Sequence, residues 1–279
     1  MLSRFKSTVV TSLVTLVLGV AIGFGFFGTT PAVHSQGTTG DPEAQLFRTI
    51  YARVNPSVVS INVRIPASAA APAQGNSFGQ PSQTQYAAGS GFVYDTAGHI
   101  VTNAHVVGDF VEGRGRRRQR GQTQDASREL TVTLPDGSTV PARVLASDAE
   151  RDVAALSIDA HDLPTIQLGD SRAIQPGEWV FAVGHPWGVR GAASAGIVVG
   201  TGAELPEMPF NEREWLVISL KVRPGNSGGP LVDVRGRLLG INTLMTGPQI
   251  GAAVPVHTIA AFLKDKLGTP VADVGLPSS

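Results

Sequence analysis

The sequence predicts an all-β fold, either a sandwich or a pair of barrels. Short apolar runs that are typical of strands are separated by turn signals along most of the chain. A late stretch, His257 to Leu267, has helical spacing, and this pattern argues against alternating strands and helices. The predicted strands are Phe92 to Tyr94, Ile100 to Thr102, Leu130 to Leu134, Val140 to Leu145, Val153 to Ile158, Trp179 to Val183, Gly196 to Gly200, Trp215 to Leu220, Leu231 to Val234 and Leu238 to Asn242.

Composition limits the classes of function. The 279 residues are 42% hydrophobic, enough for a well-filled core in one or two domains. The 22 basic and 22 acidic residues balance, so bulk charge gives no bias toward nucleic acid. The chain has no cysteine, which excludes disulfides, thiolate nucleophiles and cysteine-ligated zinc.

The N-terminus carries an export signal. Thr8 to Phe27 is uncharged and mostly apolar, and it follows Arg4 and Lys6. As a helix it would reach roughly 30 Å, the thickness of a bilayer core, so we favour an uncleaved anchor over residues 1–28. The alternative is a long signal peptide cut near Ser35. Either way, the positive flank places the rest of the chain outside the cytoplasm, as an anchored or a secreted domain.

The exported part begins with a linker and a short helix. Asp41 to Arg53 fits an amphipathic helix after an Asp-Pro start signal, and Pro56 to Val63 reads as a strand. Pro66 to Ala88, rich in Ala, Pro, Gln, Ser and Gly, is expected to be a mobile loop, with order resuming at Gly89. The predicted division is 29–45 for the linker, 46–267 for the main domain and 268–279 for a tail.

The strongest chemical signal is Gly225-Asn226-Ser227-Gly228-Gly229-Pro230. A nucleophilic serine needs neighbouring N–H groups that can face a developing oxyanion, and glycines permit the required dihedrals and the close approach of substrate. Gly225, Asn226 and Ser227 therefore form the predicted oxyanion hole, with the N–H groups of Gly225 and Ser227 as the natural donors. On this hexapeptide alone, a solvated turn is the alternative.

The same hexapeptide fits the G-x-S-x-G pattern of α/β-hydrolases, but its surroundings do not. In those enzymes a helix follows the serine, and the acid and then the histidine come later. Here a strand, a turn and another strand follow Ser227, and His257 is the only later histidine. The base and the acid should therefore precede the serine, in the order His, Asp, Ser.

His105 is the best candidate for the base and Asp152 for the acid. His105 closes the apolar strand Ile100 to Val107, where a rigid scaffold can fix an imidazole, whereas the other upstream histidines lie in turns, loops or the linker. Asp152 directly precedes an apolar run and can enter the interior, while Asp148 and Glu150 sit in a polar turn. A structural strand-end histidine and an ordinary loop-capping aspartate are the alternatives.

At these residues the chain resembles the HtrA/Deg family of trypsin-like serine proteases. The resemblance runs from about Leu46 to Leu267. Its matching segments are Val54 to Val59, Thr102 to Val106, Asp152 to Ala154, Pro224 to Leu231, Gly240 to Thr243 and Gly251 to Pro255.

The resemblance implies two perpendicular six-stranded β-barrels with the triad His105, Asp152 and Ser227 in the cleft between them, and no cofactor or metal. It implies proteolysis of misfolded or exported proteins, from a trimer for which Phe47 and Tyr51 are the candidate aromatic contacts. About a dozen residues follow the last predicted helix, so the resemblance covers the protease domain and no PDZ domain.

Two segments depart from the family pattern. Ile218 to Arg223 replaces the usual segment that lines the primary pocket, whose predicted residues are Val222, Thr243 and Met245. Val222 and Met245 suit a small or medium aliphatic side chain. His185 stands in a loop resembling the family's Gly-Asn-Pro-Phe-Gly, and we interpret it as a neutral substitution rather than a second base.

An arginine run lies between the base and the acid, at residues 114–120. We favour the interpretation that this run is a solvated surface loop. If it has a function, contact with anionic lipid is the better hypothesis, and no nucleic acid partner is expected. The sequence thus predicts a membrane-anchored serine endopeptidase that cleaves unfolded or exported proteins outside the cytoplasm. The alternatives are a catalytically silent binding protein and, more weakly, a tethered scaffold that uses the arginine loop.

Overall fold

The computed structural model describes residues 41–65, 85–108, 129–185, 191–201, 215–220, 225–245 and 250–268. The chain divides into two compact units, Met1–Gln45 and Leu46–Ser279, and the described part of the first is residues 41–45. The predicted anchor at residues 1–28 lies outside the described residues. Within those residues, no helix is long and apolar enough to cross a bilayer.

Six antiparallel strands close into the first barrel, in the order β1-β2-β3-β6-β5-β4. β1 pairs with both β2 and β4, which closes the sheet and leaves no open edge. The strands are β1 (Val58–Ile65), β2 (Gln85–Val93), β3 (His99–Thr102), β4 (Glu129–Thr133), β5 (Thr139–Asp148) and β6 (Val153–Ile158).

Six further strands close into the second barrel, in the order β7-β8-β9-β12-β11-β10. This is the strand order of the first barrel repeated, and pairing of β10 with β7 closes it. The strands are β7 (Trp179–Gly184), β8 (Ala192–Thr201), β9 (Leu216–Ser219), β10 (Pro230–Val232), β11 (Leu238–Met245) and β12 (Gly251–Pro255). The predicted all-β architecture of two six-stranded barrels is confirmed.

One helix precedes the barrels and one follows them. Helix α1 spans Pro42–Val54. Its start is set by Asp41, whose carboxylate accepts the Glu43 N–H at 3.0 Å, and by proline at the first helical position. Helix α2 spans Val256–Leu267 and ends at Gly268, whose positive φ of 65° allows its N–H to reach Lys264 O. Both predicted helices are confirmed.

The core has three parts, and alternation along each strand decides which part a residue joins. In β1, Val59, Ile61 and Val63 pack inside the first barrel. Val58 on the opposite face packs in a cluster that residues of both barrels and both helices share. Strands buried on both faces read as nearly continuous apolar runs, which is why the sequence shows them as runs rather than as strict alternation.

Some strand boundaries differ from prediction. β2 begins at Gln85, so the expectation that order resumes only at Gly89 is wrong. Residues 85–88 have weak strand signals of their own, but each pairs with β1, ending in Ile65 opposite Gln85. β5 likewise runs on to Asp148, beyond Leu145, with a register shift between Val144 and Ala146. Pairing with a neighbour thus extends strands past their local propensity.

Candidate active site

His105 and Asp152 are neighbours because of the register between β3 and β6. Thr102 lies opposite Ala154, so the end of β3 is beside the start of β6. His105 follows β3 in a single 3-10 turn, Ala104–Val106, and Asp152 directly precedes β6. Nδ1 of His105 lies 3.0 Å from Oδ2 and 3.1 Å from Oδ1 of Asp152. The backbone N–H of His105 also donates to Oδ1, at 3.1 Å, so the carboxylate holds both ring and backbone.

This geometry fixes the state of the imidazole. An ionised carboxylate only accepts hydrogen bonds, so Nδ1 carries a proton beside it, and in the neutral ring Nε2 is then the nitrogen with the free lone pair. The side chain of Asp152 is 12% exposed and that of His105 48%, so a buried anion supports a ring that solvent or a substrate can reach. This combination suits a general base whose cationic form is stabilised from behind.

Asp152 adopts a left-handed backbone conformation with φ of 52°. Such a conformation is unfavourable for a residue with a Cβ, and it persists where the surroundings impose it. The preceding turn does so in part, because Asp148 Oδ1 accepts the N–H groups of Glu150 and Arg151 at 2.9 and 3.0 Å. Asp152 is then aimed at His105 instead of continuing β5.

Ser227 lies in the second barrel, on the turn that leads into β10. Gly225 and Gly228 have φ of 96° and 87°, values at which side chains are disfavoured. Ser227 Oγ donates to the carbonyl oxygen of Thr243 on β11 at 2.9 Å. In the described part of the chain it makes no hydrogen bond with His105.

Three successive N–H groups on this turn, those of Gly225, Asn226 and Ser227, donate no hydrogen bond within the residues that the structure describes. The next two amides of the same turn do: the N–H of Gly228 donates to Asn242 O at 2.8 Å and that of Gly229 to Asn226 O at 2.9 Å. Unused donors beside a serine hydroxyl are what an oxyanion site requires.

Sequence reasoning missed two residues that join the barrels here. Asn103, fully buried, donates through Nδ2 to Asp152 O and to Thr243 Oγ1, both at 2.9 Å. Ser90, also fully buried, donates through Oγ to Gly225 O at 2.5 Å and accepts the His185 N–H at 2.9 Å. The available signals were polar residues beside buried strand positions: Ser90 between two glycines of β2, and Asn103 directly after β3.

The predicted pocket residues are only partly described. Val222 lies outside the described residues, as does the arginine run at 114–120, and the side chain of Met245 is not described. Thr243 is buried, and its hydroxyl bonds to Asn103 and to Ile241 O. Thr243 therefore meets Ser227 through its carbonyl oxygen.

Other predicted residues have structural contacts. His185 is buried, and its backbone N–H binds Ser90. Phe47 packs edge-on against Phe181 within the same chain, with ring centroids 4.9 Å apart, and Tyr51 is partly buried against the shared core. Among the described residues, no group of three histidine, aspartate or glutamate side chains is placed to hold a metal ion.

Comparisons with known proteins identify the family of the chain. A profile of the trypsin-like peptidase domain matches residues 89–241. The chain is 28% identical over 264 residues to a putative serine protease HhoB of Synechocystis, covering 86% of this chain and 58% of that protein. It is 31% identical over 265 residues to Protease Do-like 1, chloroplastic, of Arabidopsis thaliana, covering 89% of this chain and 55% of that one. A probable periplasmic serine endoprotease, DegP-like, of Halomonas elongata is 35% identical over 194 residues, covering 67% and 36%.

Among solved structures, the HtrA-type protease AlgW with a decapeptide superposes with a TM-score of 0.61 at 26% identity, covering 78% of this chain and 66% of that one. The chain spans between about a third and three fifths of the length of the three curated relatives named above. The matched profile covers more than half of the chain and includes His105, Asp152 and Ser227. The HtrA/Deg resemblance is confirmed, and the chain belongs to the trypsin-like peptidase family.

Proposed function

We propose that this chain is a serine endopeptidase that cleaves unfolded or exported proteins through an acyl-enzyme, with Ser227 as nucleophile, His105 as base and Asp152 as the orienting acid. The observation that carries the proposal is the buried Asp152 carboxylate held 3.0 Å from Nδ1 of His105. It leaves Nε2 as the basic nitrogen of an accessible ring. The named relatives, described as serine proteases and endoproteases, support the same class of reaction.

Acylation begins when the Ser227 hydroxyl leaves Thr243 O and turns to His105 Nε2. As Oγ bonds to the scissile carbonyl carbon, its proton passes to Nε2, and the carbonyl oxygen becomes an oxyanion. The unused N–H groups of Gly225, Asn226 and Ser227 would stabilise that charge. The C–N bond then breaks as Nε2 gives its proton to the leaving amine.

Deacylation repeats the proton transfers with water. Water gives a proton to Nε2 as its oxygen attacks the acyl carbon, and Nε2 returns that proton to Oγ as the acid product leaves. Asp152 stays ionised and stabilises the imidazolium in both halves. In the resting arrangement Thr243 O holds the nucleophile, so rotation of Ser227 about its Cα–Cβ bond is an early step of each turnover.

The substrate and its location are also proposed. A DegP-like relative is named as periplasmic, and AlgW was solved with a decapeptide, which supports an extracytoplasmic domain that acts on peptide chains. Anchoring by residues 1–28, a primary pocket formed by Val222, Thr243 and Met245, and assembly as a trimer stay predictions from the sequence.

The test is cleavage of reduced, unfolded casein by the full chain in mild detergent, beside its Ser227→Ala variant, with products identified by mass spectrometry. The proposal predicts cleavage by the unmodified chain and a loss of about a million-fold in the variant. The sites of cleavage would also report the preference of the primary pocket. Hydrolysis that persists in Ser227→Ala would contradict the assignment, and equal silence of both proteins would favour the catalytically silent binding protein.

A further inference from the structure

A buried serine of the first barrel contacts the oxyanion segment of the second. Ser90 lies on β2 and is 0% exposed. Its backbone N–H donates to Ser227 O at 2.8 Å, and its hydroxyl bonds to Gly225 and to His185. One residue of the first barrel therefore touches both ends of the Gly225 to Ser227 segment and the residue that follows β7.

The direction of each bond at the hydroxyl is determined. The His185 N–H can only donate, so Ser90 Oγ accepts from it, at 2.9 Å. The Gly225 carbonyl can only accept, so the hydroxyl proton points to it, at 2.5 Å. The result is a continuous relay from His185 N–H through Ser90 to Gly225 C=O, in which each bond polarises the next.

Gly225 needs such support because glycine constrains its own backbone so little. It sits at φ of 96°, and with no Cβ it reaches other combinations of φ and ψ at small cost. Its carbonyl belongs to the peptide that leads to Asn226, and its N–H belongs to the peptide before it. If the carbonyl is held, the plane of the Gly225–Asn226 peptide is fixed, and the direction of the Asn226 N–H in that same plane is set.

We propose that Ser90 is a positioning residue for the oxyanion site: its hydroxyl holds the Gly225 carbonyl, fixes the plane of the Gly225–Asn226 peptide and so aims the Asn226 N–H, one of the three candidate donors, at the carbonyl oxygen of the substrate. The inference rests on the proposed function for its catalytic consequence, since Ser90 acts through Gly225 and does not touch the reacting atoms. Its structural part, a hydrogen-bonded link between β2, His185 and Gly225, stands on the contacts alone.

The space around Ser90 matches the size of serine. A Cβ built on Gly184 would lie 3.0 Å from Ser90 Oγ, and one on Gly229 would lie 3.1 Å from Ser90 Cβ. Both glycines thus allow close approach to this hydroxyl. Ser90→Ala removes the hydroxyl without adding volume, and Ser171→Ala is a matched control because Ser171 is also buried and bonds to His257 at 2.7 Å, within neither catalytic segment.

The experiment compares full-length protein, Ser90→Ala and Ser171→Ala by casein hydrolysis, urea unfolding and amide hydrogen exchange followed by mass spectrometry. Removal of one oxyanion donor costs about 100- to 1000-fold in kcat, so misaiming one donor in Ser90→Ala should lower kcat by about 100-fold while KM changes less than about threefold. Exchange should accelerate at His185, whose N–H loses its acceptor, and at Gly228 and Gly229, whose hydrogen-bonded N–H groups lie on the same turn as Gly225. Ser171→Ala should keep kcat within about twofold. This should hold even if its urea midpoint falls as far as that of Ser90→Ala.

The proposal is overturned if Ser90→Ala keeps its kcat, if Ser171→Ala loses as much, or if exchange at His185, Gly228 and Gly229 is unchanged. Hydrogen exchange separates this outcome from failure of the proposed function. If the unmodified chain hydrolyses nothing, faster exchange confined to these two segments in Ser90→Ala still upholds the positioning link, and unchanged exchange rejects it.

Discussion

The two barrels have the same strand order but supply different chemistry. The connection from β3 to β4 in the first barrel corresponds to the connection from β9 to β10 in the second. His105 lies near the beginning of the first connection, and Ser227 lies near the end of the second. One topological position, used twice, therefore provides both the proposed base and the proposed nucleophile.

The barrels differ in how much of their proposed contribution is backbone. The first barrel contributes two side chains, His105 and Asp152, which the register of two adjacent strands brings together. The second barrel contributes the Ser227 side chain and, around it, backbone groups: N–H groups on a turn with Gly225 and Gly228 at positive φ, and the carbonyl of Thr243 that accepts from Ser227. A strand scaffold can fix side chains by register, whereas backbone donors need contacts from outside their own turn, and the first barrel supplies these.

The largest effect is expected when one proposed reacting group is removed from each barrel, which tests whether the two barrels share one site. His105→Ala and Ser227→Ala should each lower kcat by about a million-fold, and the double variant should be no worse than either, because the two groups act as one unit. Kinetics of casein hydrolysis measure the three losses. Additive losses would mean that the barrels act independently and would contradict the shared site.

Asp152→Asn tests the division inside the first barrel. The amide can still accept the His105 backbone N–H, but it can donate to Nδ1 and stabilise the wrong tautomer, so kcat should fall by about 10,000-fold. The fold should persist, which circular dichroism and urea unfolding would verify. A loss of only a few-fold would show that Asp152 does not orient the base.

Gly228→Ala probes the close approach of the barrels. A Cβ at Gly228 would collide with Ser90 O and Thr102 Oγ1 of the first barrel, in addition to the strain of its φ of 87°. The expected loss in free energy of unfolding is about 3–5 kcal/mol.

Gly177→Ala is the matched control for this loss. Gly177 has a similar φ of 92°, but nothing lies within 4 Å of a Cβ there, so strain alone should cost about 1–2 kcal/mol. Urea unfolding of both variants gives the difference. Equal losses would show that contact between the barrels at Gly228 is unimportant.

Asn103→Ala should have the smallest effect of the four. The substitution removes the Nδ2 group that donates to Asp152 O and Thr243 Oγ1. Both oxygens stay buried without that hydrogen bond, which should lower the free energy of unfolding by about 1–3 kcal/mol. Without this link, Asp152 of the first barrel and Ser227 of the second should shift slightly relative to each other, which should lower kcat by about 10- to 100-fold.

Asn62→Ala provides the comparison, because Asn62 bonds to Thr133 Oγ1 within the first barrel at 3.1 Å. It should destabilise the protein without lowering kcat. An equal drop in kcat in both variants would mean that Asn103 acts through general stability and does not align the barrels.

The sequence was sufficient for the parts of the fold that depend on local pattern. Strands such as Val153 to Ile158 are long apolar runs between turn signals, and the structure has that strand with the same ends. Gln85 to Ala88 could not be predicted, because those residues form a strand only by pairing with β1. Barrel closure likewise depends on long-range pairing, and it entered through the family resemblance, whereas the order of the strands was not predicted.

At the candidate site, residues with distinctive chemistry are easier to identify in the sequence than residues that contact and support them. His105, Asp152 and Ser227 stood out because each combines a reactive group with a special position in the chain. Ser90 and Asn103 look like ordinary polar residues in strands until the second barrel lies beside them. Their partners, Gly225 and Thr243, are more than a hundred residues away in sequence.

The most direct test of a site shared by both barrels is covalent labelling with a fluorophosphonate, which phosphonylates a serine hydroxyl only when a base activates it. The full chain and its His105→Ala variant would be treated in parallel, and the label mapped by mass spectrometry. We predict a label on Ser227 in the unmodified chain and a rate at least about 1000-fold lower in His105→Ala. No label on Ser227, or the same rate in both proteins, would contradict the account.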